Sequence, residues 1–174
     1  MKKIDLKKIP HISEITAQHG SFTGTPVKPK ETFLERMGSK NKVVPSLEEA
    51  IRLSGLRDGM TISFHHHFRN GDYVVNMVVE QIAKMGIKNL TLAASSLTDI
   101  HAPLIEHIKN GVITHIETSG LRGKLAEEVS RGLMDFPIVF RSHGGRAAAI
   151  ESGELHIDVA FLGAPSCDPY GNAN

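Results

Sequence analysis

Between residues 61 and 162, short apolar runs that favour β-strands alternate with segments whose apolar residues recur at helical spacing. The predicted strands span residues 61–64, 87–94, 112–117, 138–140 and 157–162. The predicted helices between them span residues 73–85, 102–109 and 124–131, followed by an alanine-rich helix after Gly145. Strands and helices that alternate in this way form a mostly parallel sheet with helices on both faces, joined by right-handed crossovers. The sequence therefore predicts an α/β fold.

A change in composition near residue 45 predicts two regions of different character. Residues 1–45 are rich in Gly, Pro, Ser and Thr and carry nine Lys and Arg against four Asp and Glu, a charge of +5. Residues 46–174 carry −4 and begin with Ser46 and Glu49, which are spaced as a capping box before a helix that ends at Gly55. We expect a basic N-terminal arm over 1–45 and an α/β domain over 46–174.

The overall composition excludes several classes of protein. A net charge of +1 is too small to favour a nucleic-acid partner. No run approaches the roughly 18 apolar residues of a membrane span, and the charged N-terminus lacks the apolar core of a secretory signal. The single cysteine, Cys167, cannot form an internal disulfide. We therefore expect a cytoplasmic protein without a membrane segment.

Ligands of an open parallel sheet bind at the carboxyl ends of its strands, so the loops at those ends are the candidate site. These loops hold several histidines, hydroxyl groups and glycines, and the arginines Arg69, Arg122, Arg141 and Arg146. Arginine side chains and loop N–H groups suit carboxylate or phosphate oxygens. The sequence therefore predicts a site for an anionic ligand.

Three consecutive histidines follow the first predicted strand. His65, His66 and His67 stand beside Arg69, and could donate hydrogen bonds to ligand carboxylates. Histidines also bind zinc, but this run lacks Cys or carboxylate partners at ligand spacing, so no metal is expected. The structural alternative is that one or two of them pack under the loop as satisfied polar residues.

A second candidate segment lies at the start of the last predicted helix. It consists of Ser142, His143, Gly144, Gly145 and Arg146. The N–H groups of a helix N-terminus can hold an anion, glycine permits close approach, and Arg146 adds charge. The motif is neither a dinucleotide-binding nor a Walker sequence, so a glycine-rich connection without function is the alternative.

The remaining candidates are weaker, so the residues alone predict an anion-binding α/β domain and no particular reaction. His101, His107 and His115 share no arrangement that would support catalysis. Cys167 stands in a loop without an identifiable histidine partner.

Three segments at these loops carry a resemblance to a known family. They are SFHHHFRNGD at 63–72, RSHGGRA at 141–147 and DPYGN at 168–172, and the arm adds HGSFTGTPVKPKE at 19–31. Together they resemble the alpha subunits of citrate lyase, the citrate CoA-transferases, which belong to the CoA-transferase superfamily. The resemblance covers essentially all 174 residues and implies the first α/β domain of that superfamily. Because the sequence ends in loop-like residues and the family's chains are much longer, we expect only the N-terminal portion here.

The resemblance implies an enzyme of bacterial citrate fermentation. In that family the alpha subunit exchanges the acetyl group of an acyl carrier for citrate, which gives citryl-carrier and acetate. The thioester co-substrate is the phosphoribosyl-dephospho-CoA arm of the carrier (gamma) subunit, or acetyl-CoA. A beta subunit then cleaves citryl-carrier. The resemblance thus implies a multi-subunit complex, and half an active site with an uncovered sheet edge favours a homo-oligomer.

The resemblance also assigns expected roles to residues. In related transferases the glutamate that forms a covalent intermediate lies in the second half of the chain, so no catalytic residue is expected among these 174. For the citrate enzyme the covalent glutamyl route and a mixed anhydride both stay open. His65, His66, His67 and Arg69 would suit a tricarboxylate. The segment 142–146 together with Gly171 and Asn172 would form the remaining wall.

Two further interpretations come from other functional classes. The same fold serves sugar-phosphate isomerases and ligand-sensing regulators, so a non-catalytic effector-binding domain for an anion or sugar phosphate is the first alternative. The second is a metal-binding module built on the histidine run, which the zinc content of a tag-free preparation would test.

Overall fold

A computed structural model describes residues 41–65 and 73–173 of the chain. The described helices are α1 (Leu47–Ser54), α2 (Val74–Lys84), α3 (Leu104–Lys109), α4 (Gly123–Ser130) and α5 (His143–Ser152). The described strands are β1 (Thr61–His65), β2 (Leu90–Ala94), β3 (Ile113–Thr118), β4 (Val139–Phe140) and β5 (Val159–Leu162). The alternation of strands and helices confirms the predicted α/β class.

The five strands form one parallel sheet in the order β4-β3-β2-β1-β5. The chain lays down β1 to β4 in one direction and then returns to place β5 on the other side of β1. Right-handed crossovers send the helix of such a return to the opposite face of the sheet. The direction of strand order therefore reverses between β1 and β5, which is where open α/β sheets bind ligands.

The two faces of the sheet differ in side-chain size. On one face Ile62, Phe64 and Leu92 are almost fully buried beneath apolar residues of α1 to α4. On the other face Ser63 pairs in register with Ala93 and Ala160, so the side chains there are small. Ala149 of α5 packs against Ala93. Small residues let α5 approach the sheet closely, so the helices cover both faces as predicted.

The N-terminus of α1 uses half of the predicted capping box. The Ser46 hydroxyl accepts a hydrogen bond from the Glu49 N–H at 3.1 Å. The Glu49 carboxylate instead accepts from Arg52 Nε at 2.8 Å, and this hydrogen bond lowers the pKa of Glu49. The predicted end at Gly55 is confirmed, since this residue adopts the left-handed conformation.

Some predicted boundaries differ from the structure. β2 begins at Leu90 rather than at residue 87, because Asn89 has a φ of 60° that no extended strand contains. A 3-10 turn, Asp99–His101, precedes α3, and His101 is fully buried with Nδ1 accepting from the Thr98 N–H at 2.9 Å. Asp72 precedes the helix predicted at 73–85 and is a residue type that caps helices, but it lies outside the described residues.

The predicted N-terminal arm lies mostly outside the described residues. Of its last few residues, Lys42 donates its N–H to the Pro169 carbonyl at 2.7 Å, which ties residue 42 to the last described loop. None of the helices in the described part of the chain is long and apolar enough to span a membrane.

Candidate functional site

A pocket of about 230 Å³ lies at the carboxyl ends of three neighbouring strands, beneath the first half of α5. Its lining residues are His65, Ser95, Ser119, His143, Arg146, Ala147 and Ile150. The first three follow or end β1, β2 and β3, and the other four belong to α5. The volume is below the roughly 300–1,000 Å³ of sites for drug-sized ligands, so it suits a small metabolite or one end of a larger one.

Arg146 is the charged group that projects from α5 to the sheet. Its Nη2 donates to the Ser63 hydroxyl at 2.8 Å and lies 3.2 Å from the Ala93 carbonyl. Its Nη1 is buried and has no hydrogen-bond partner among the described residues. Burial lowers the pKa of Arg146, and the nearby Glu117 carboxylate opposes that shift. A partly buried cation with a buried, unused donor favours an anionic partner.

Ser119 presents a second buried polar atom to this pocket. Its Oγ has no hydrogen-bond partner in the described part of the chain. Its main-chain N–H donates to the Ser95 carbonyl at 3.3 Å, which extends the contact between the ends of β2 and β3. This main-chain bond holds Ser119 in place, and its Oγ lacks a hydrogen-bond partner that the described residues could supply.

Glu117 lies on the same face of the sheet, in register with Ala93. Its carboxylate accepts from Arg141 Nε at 2.8 Å, and Arg141 Nη2 reaches Glu154 at 3.0 Å. The Glu117 and Arg141 side chains are each less than one-fifth exposed. The Glu117 carboxylate is paired with Arg141 and forms no hydrogen bond with Arg146. The positive charge of Arg146 can therefore attract a ligand.

The predicted anion-binding segment at the start of α5 is partly used by the helix itself. α5 begins at His143, so Gly144 and Gly145 are helical rather than part of a preceding loop. The Ser142 hydroxyl caps the helix by accepting from the Gly145 N–H at 3.0 Å, and the Ser142 carbonyl accepts from the Arg146 N–H at 2.8 Å. This capping is the local interaction that starts the helix.

The predicted wall residues Gly171 and Asn172 belong to a separate turn. Asp168 Oδ2 accepts from Asn172 Nδ2 at 2.7 Å, and Asp168 Oδ1 accepts from the N–H groups of Asn172 and Tyr170. The Asn172 bonds hold the pKa of Asp168 below its usual range. Asn172 lines another pocket, of about 350 Å³, with Ser166, Cys167 and Ala173.

The structure brings together three of the predicted site residues, namely His65, His143 and Arg146, in one pocket. His66, His67 and Arg69 lie outside the described residues. Sequence reasoning missed two residues that matter here. Ser63 was predicted only as part of a strand. Ser119 was predicted only as part of the loop at residues 118–123, for which anion binding and a glycine-rich connection without function both stayed open. Neither position carries a charge or a recognisable motif.

Other groups of side chains among the described residues are weaker candidates for a ligand site. A crevice of about 290 Å³ between α3 and α4 is bordered by Glu106, Lys109, Lys124 and Glu128, whose charges balance one another. The Lys109 ammonium already bonds Glu106 at 2.8 Å. Within residues 41–65 and 73–173, no three His, Cys, Asp or Glu side chains cluster as metal ligands would.

Comparison with known proteins identifies close relatives. The family model "Citrate lyase, alpha subunit (CitF)" matches residues 40–174. The citrate lyase alpha chain of Escherichia coli is 64% identical over 84% of this chain, and that of Klebsiella pneumoniae is 61% identical over 88%. These alignments cover 29% and 30% of the two relatives. The chain thus spans about three-tenths of the length of these curated relatives.

A solved structure shares the fold. It is described as the alpha subunit of citrate lyase from Streptococcus mutans in complex with citrate. It is 58% identical to this chain, with a TM-score of 0.76 over 86% of this chain and 28% of its own length.

Proposed function

Because the chain belongs to the citrate lyase alpha subunit family, we propose that it forms the substrate-positioning part of a citrate CoA-transferase. The proposed reaction exchanges the acyl group of a thioester: acetyl-S-carrier and citrate give citryl-S-carrier and acetate. The carrier sulfur leaves one acyl carbon and bonds another, so one thioester is broken for each one formed. Citrate is the co-substrate that this part of the chain holds.

The observation that carries the proposal is the partly buried Arg146 guanidinium, whose Nη1 is fully buried. Its Nη2 is fixed to Ser63 and its Nη1 has no described partner, in a pocket at the carboxyl ends of the strands. A guanidinium held in this way matches the charge and the geometry of a carboxylate. The citrate bound to the Streptococcus mutans relative supports a tricarboxylate as the ligand.

The other walls of the pocket complete the proposed role. His65 and His143 border it and would donate hydrogen bonds to further carboxylate oxygens. Ala147 and Ile150 of α5 supply the apolar part of the pocket lining. These residues bind and orient the substrate. We assign the covalent chemistry to residues outside this stretch of sequence.

The proposal extends to the assembly in which the chain works. The alpha subunit would meet the carrier (gamma) subunit, whose phosphoribosyl-dephospho-CoA arm bears the thioester, and a beta subunit that cleaves citryl-carrier. Acetyl-CoA would replace the carrier as a simpler co-substrate. We propose a homo-oligomeric alpha subunit and a cytoplasmic location for the complex.

A thioester-exchange assay tests this proposal. A full-length alpha subunit that contains this sequence is incubated with acetyl-CoA and citrate, and acetate and citryl-CoA are measured. We expect acetate and citryl-CoA in equal amounts, and no exchange when citrate is omitted. If the folded protein binds citrate or a sugar phosphate but forms no citryl thioester, the transferase function is wrong, and the effector-binding alternative is favoured.

A further inference from the structure

Two residues that line this pocket each have one buried polar atom with no hydrogen-bond partner among the described residues. The atoms are Arg146 Nη1 and Ser119 Oγ, and they come from different parts of the chain. Buried polar groups in proteins are nearly always hydrogen-bonded, because an unmade bond leaves the cost of desolvation uncompensated. Two such atoms in one small pocket therefore indicate a single partner that both can reach.

The position of Ser119 is fixed by hydrogen bonds of the turn that contains it. The Leu97 N–H donates to the Gly120 carbonyl at 2.8 Å, and the Arg122 N–H donates to the Leu97 carbonyl at 3.0 Å. The Thr118 hydroxyl donates to the Gly120 carbonyl at 3.0 Å. The turn uses its main-chain groups and the Thr118 hydroxyl for its own structure, whereas the Ser119 hydroxyl takes no part in it.

The chemistry of the two donors selects the kind of ligand. A guanidinium nitrogen provides positive charge and N–H donors, and a serine hydroxyl provides one further donor. A carboxylate offers two acceptor oxygens and one negative charge, which matches this pair. We infer that Ser119 and Arg146 together form a subsite for one carboxylate of the ligand. This inference rests on the proposed function for the identity of the ligand as citrate.

Hydrogen bonds hold both donors of the subsite in place before a ligand binds. Ser63 and the Ala93 carbonyl hold Arg146 from the sheet, and the tie between Ser119 N–H and the Ser95 carbonyl holds the other donor. Donors that are fixed before binding lose little conformational freedom when the ligand arrives. Ser119 is therefore a specificity-determining residue for a carboxylate, and removal of its hydroxyl should weaken binding without changing the fold.

The test is a double-mutant cycle measured by calorimetric titration of citrate into the full-length alpha subunit, without thioester. The variants are Ser119→Ala, Arg146→Met and their combination. Ser130→Ala is the matched control. Ser130 is exposed on α4, and its hydroxyl bonds only the Ala126 carbonyl. We expect Ser119→Ala to weaken citrate binding by about tenfold, as for one hydrogen bond to a charged group. The control should bind citrate as the unsubstituted protein does.

The combined variant decides whether the two donors share one carboxylate. If they do, Ser119→Ala costs much less affinity in the Arg146→Met background than alone, because both changes affect the same contact. Full additivity would overturn the shared subsite, and unchanged affinity in Ser119→Ala would overturn the role of Ser119. Restoration of affinity by Ser119→Thr, which keeps a hydroxyl, would support a hydrogen bond.

A second ligand, tricarballylate, distinguishes the contribution of the citrate hydroxyl to binding from that of the carboxylates. Tricarballylate has the three carboxylates of citrate and no hydroxyl. The subsite predicts the same loss for tricarballylate and citrate in Ser119→Ala, whereas a loss confined to citrate would overturn it. If the unsubstituted protein binds no citrate, the proposed function fails. The same variants titrated with succinate then test the subsite alone, and absence of Ser119-dependent binding would overturn it.

Discussion

Arg146 Nη2 donates a hydrogen bond of 2.8 Å to the hydroxyl of Ser63, a residue 83 positions earlier in the chain. This contact joins α5 to β1 on the face of the sheet that carries small side chains. It fixes one guanidinium nitrogen to the sheet, while the other is buried without a described hydrogen-bond partner. The position of the proposed anion site thus depends on a neutral serine as well as on the arginine.

Replacement of Ser63 by Ala should loosen this orientation while leaving the charge in place. A hydrogen bond to a charged group contributes about 1.5–3 kcal/mol, and part of that bears on the orientation of Arg146, so we expect the KM for citrate to rise by about 2- to 10-fold with little change in kcat. Steady-state kinetics of the full-length enzyme would measure this. Ser152→Ala is the control, since its hydroxyl bonds only the Ala149 carbonyl within α5. Equal KM values for the two variants would contradict the orienting role.

The pair of Arg141 and Glu117 gives a prediction about a residue outside the pocket, because Arg141 does not line it. Arg141→Met should free the Glu117 carboxylate to pair with Arg146 and so reduce the attraction for citrate. We expect the KM to rise by about 5- to 10-fold, the effect of one charge-assisted hydrogen bond. Adding Glu117→Gln should reverse most of this loss. A double variant no better than Arg141→Met would show that Glu117 does not compete for Arg146.

The carboxylate of Asp168 makes the last described turn sensitive to acid. Hydrogen bonds from Asn172 and from main-chain N–H groups lower the pKa of Asp168 in the folded turn. A lowered pKa stabilises the fold above the pKa of the unfolded state, and this contribution is lost as pH falls through the folded pKa. Amide exchange at Tyr170 and Asn172 should therefore accelerate only in the acid range below the usual pKa of an Asp.

Asn172→Ala tests the cause of that shift. Without the side-chain amide, the pKa of Asp168 should move back toward its usual value, and the acid-induced opening of the turn should begin at higher pH. An NMR titration of the Asp168 side chain in both proteins would measure the difference. An unchanged titration curve would mean that the main-chain N–H groups alone hold the carboxylate.

Gly123 is required at the start of α4 for two reasons. Its φ is +67°, and a Cβ there would lie within 1.5 Å of the Asp99 carboxylate. Gly123→Ala should therefore lower the free energy of unfolding by about 2 kcal/mol or more. Gly144→Ala is the matched change at a helical position with free space, and it should be neutral or stabilise by up to about 1 kcal/mol. Thermal unfolding midpoints of the full-length subunit would compare them, and equal midpoints would contradict this account.

The fold class could be predicted from the sequence because the periodicities of strands and helices are visible within short segments of the chain. The α/β class and the parallel sheet with helices on both faces follow from that pattern. The strand boundary at Leu90 was missed because the left-handed conformation of Asn89 depends on the turn in which it lies. Local propensity alone does not place such a residue.

The site was only partly readable. Charge and position at a strand end pointed to Arg146 and His65, and the structure places both at one pocket. The partners of Arg146 are Ser63 and the Ala93 carbonyl, 83 and 53 positions away in the chain. No local sequence pattern predicts such distant partners. Ser119 was missed because an uncharged hydroxyl in a turn becomes informative only when its burial is known.

The central claim is that the partly buried Arg146 guanidinium holds a carboxylate of citrate, and Arg146→Met tests it most directly. The control is Arg131→Met, an exposed arginine paired with Glu128 at 2.8 Å. Calorimetric titration of citrate into the full-length subunit should show affinity reduced by about 10- to 100-fold in Arg146→Met and unchanged in Arg131→Met, as expected for the loss of a hydrogen-bonded charge. Equal affinity in the two folded variants would contradict the account.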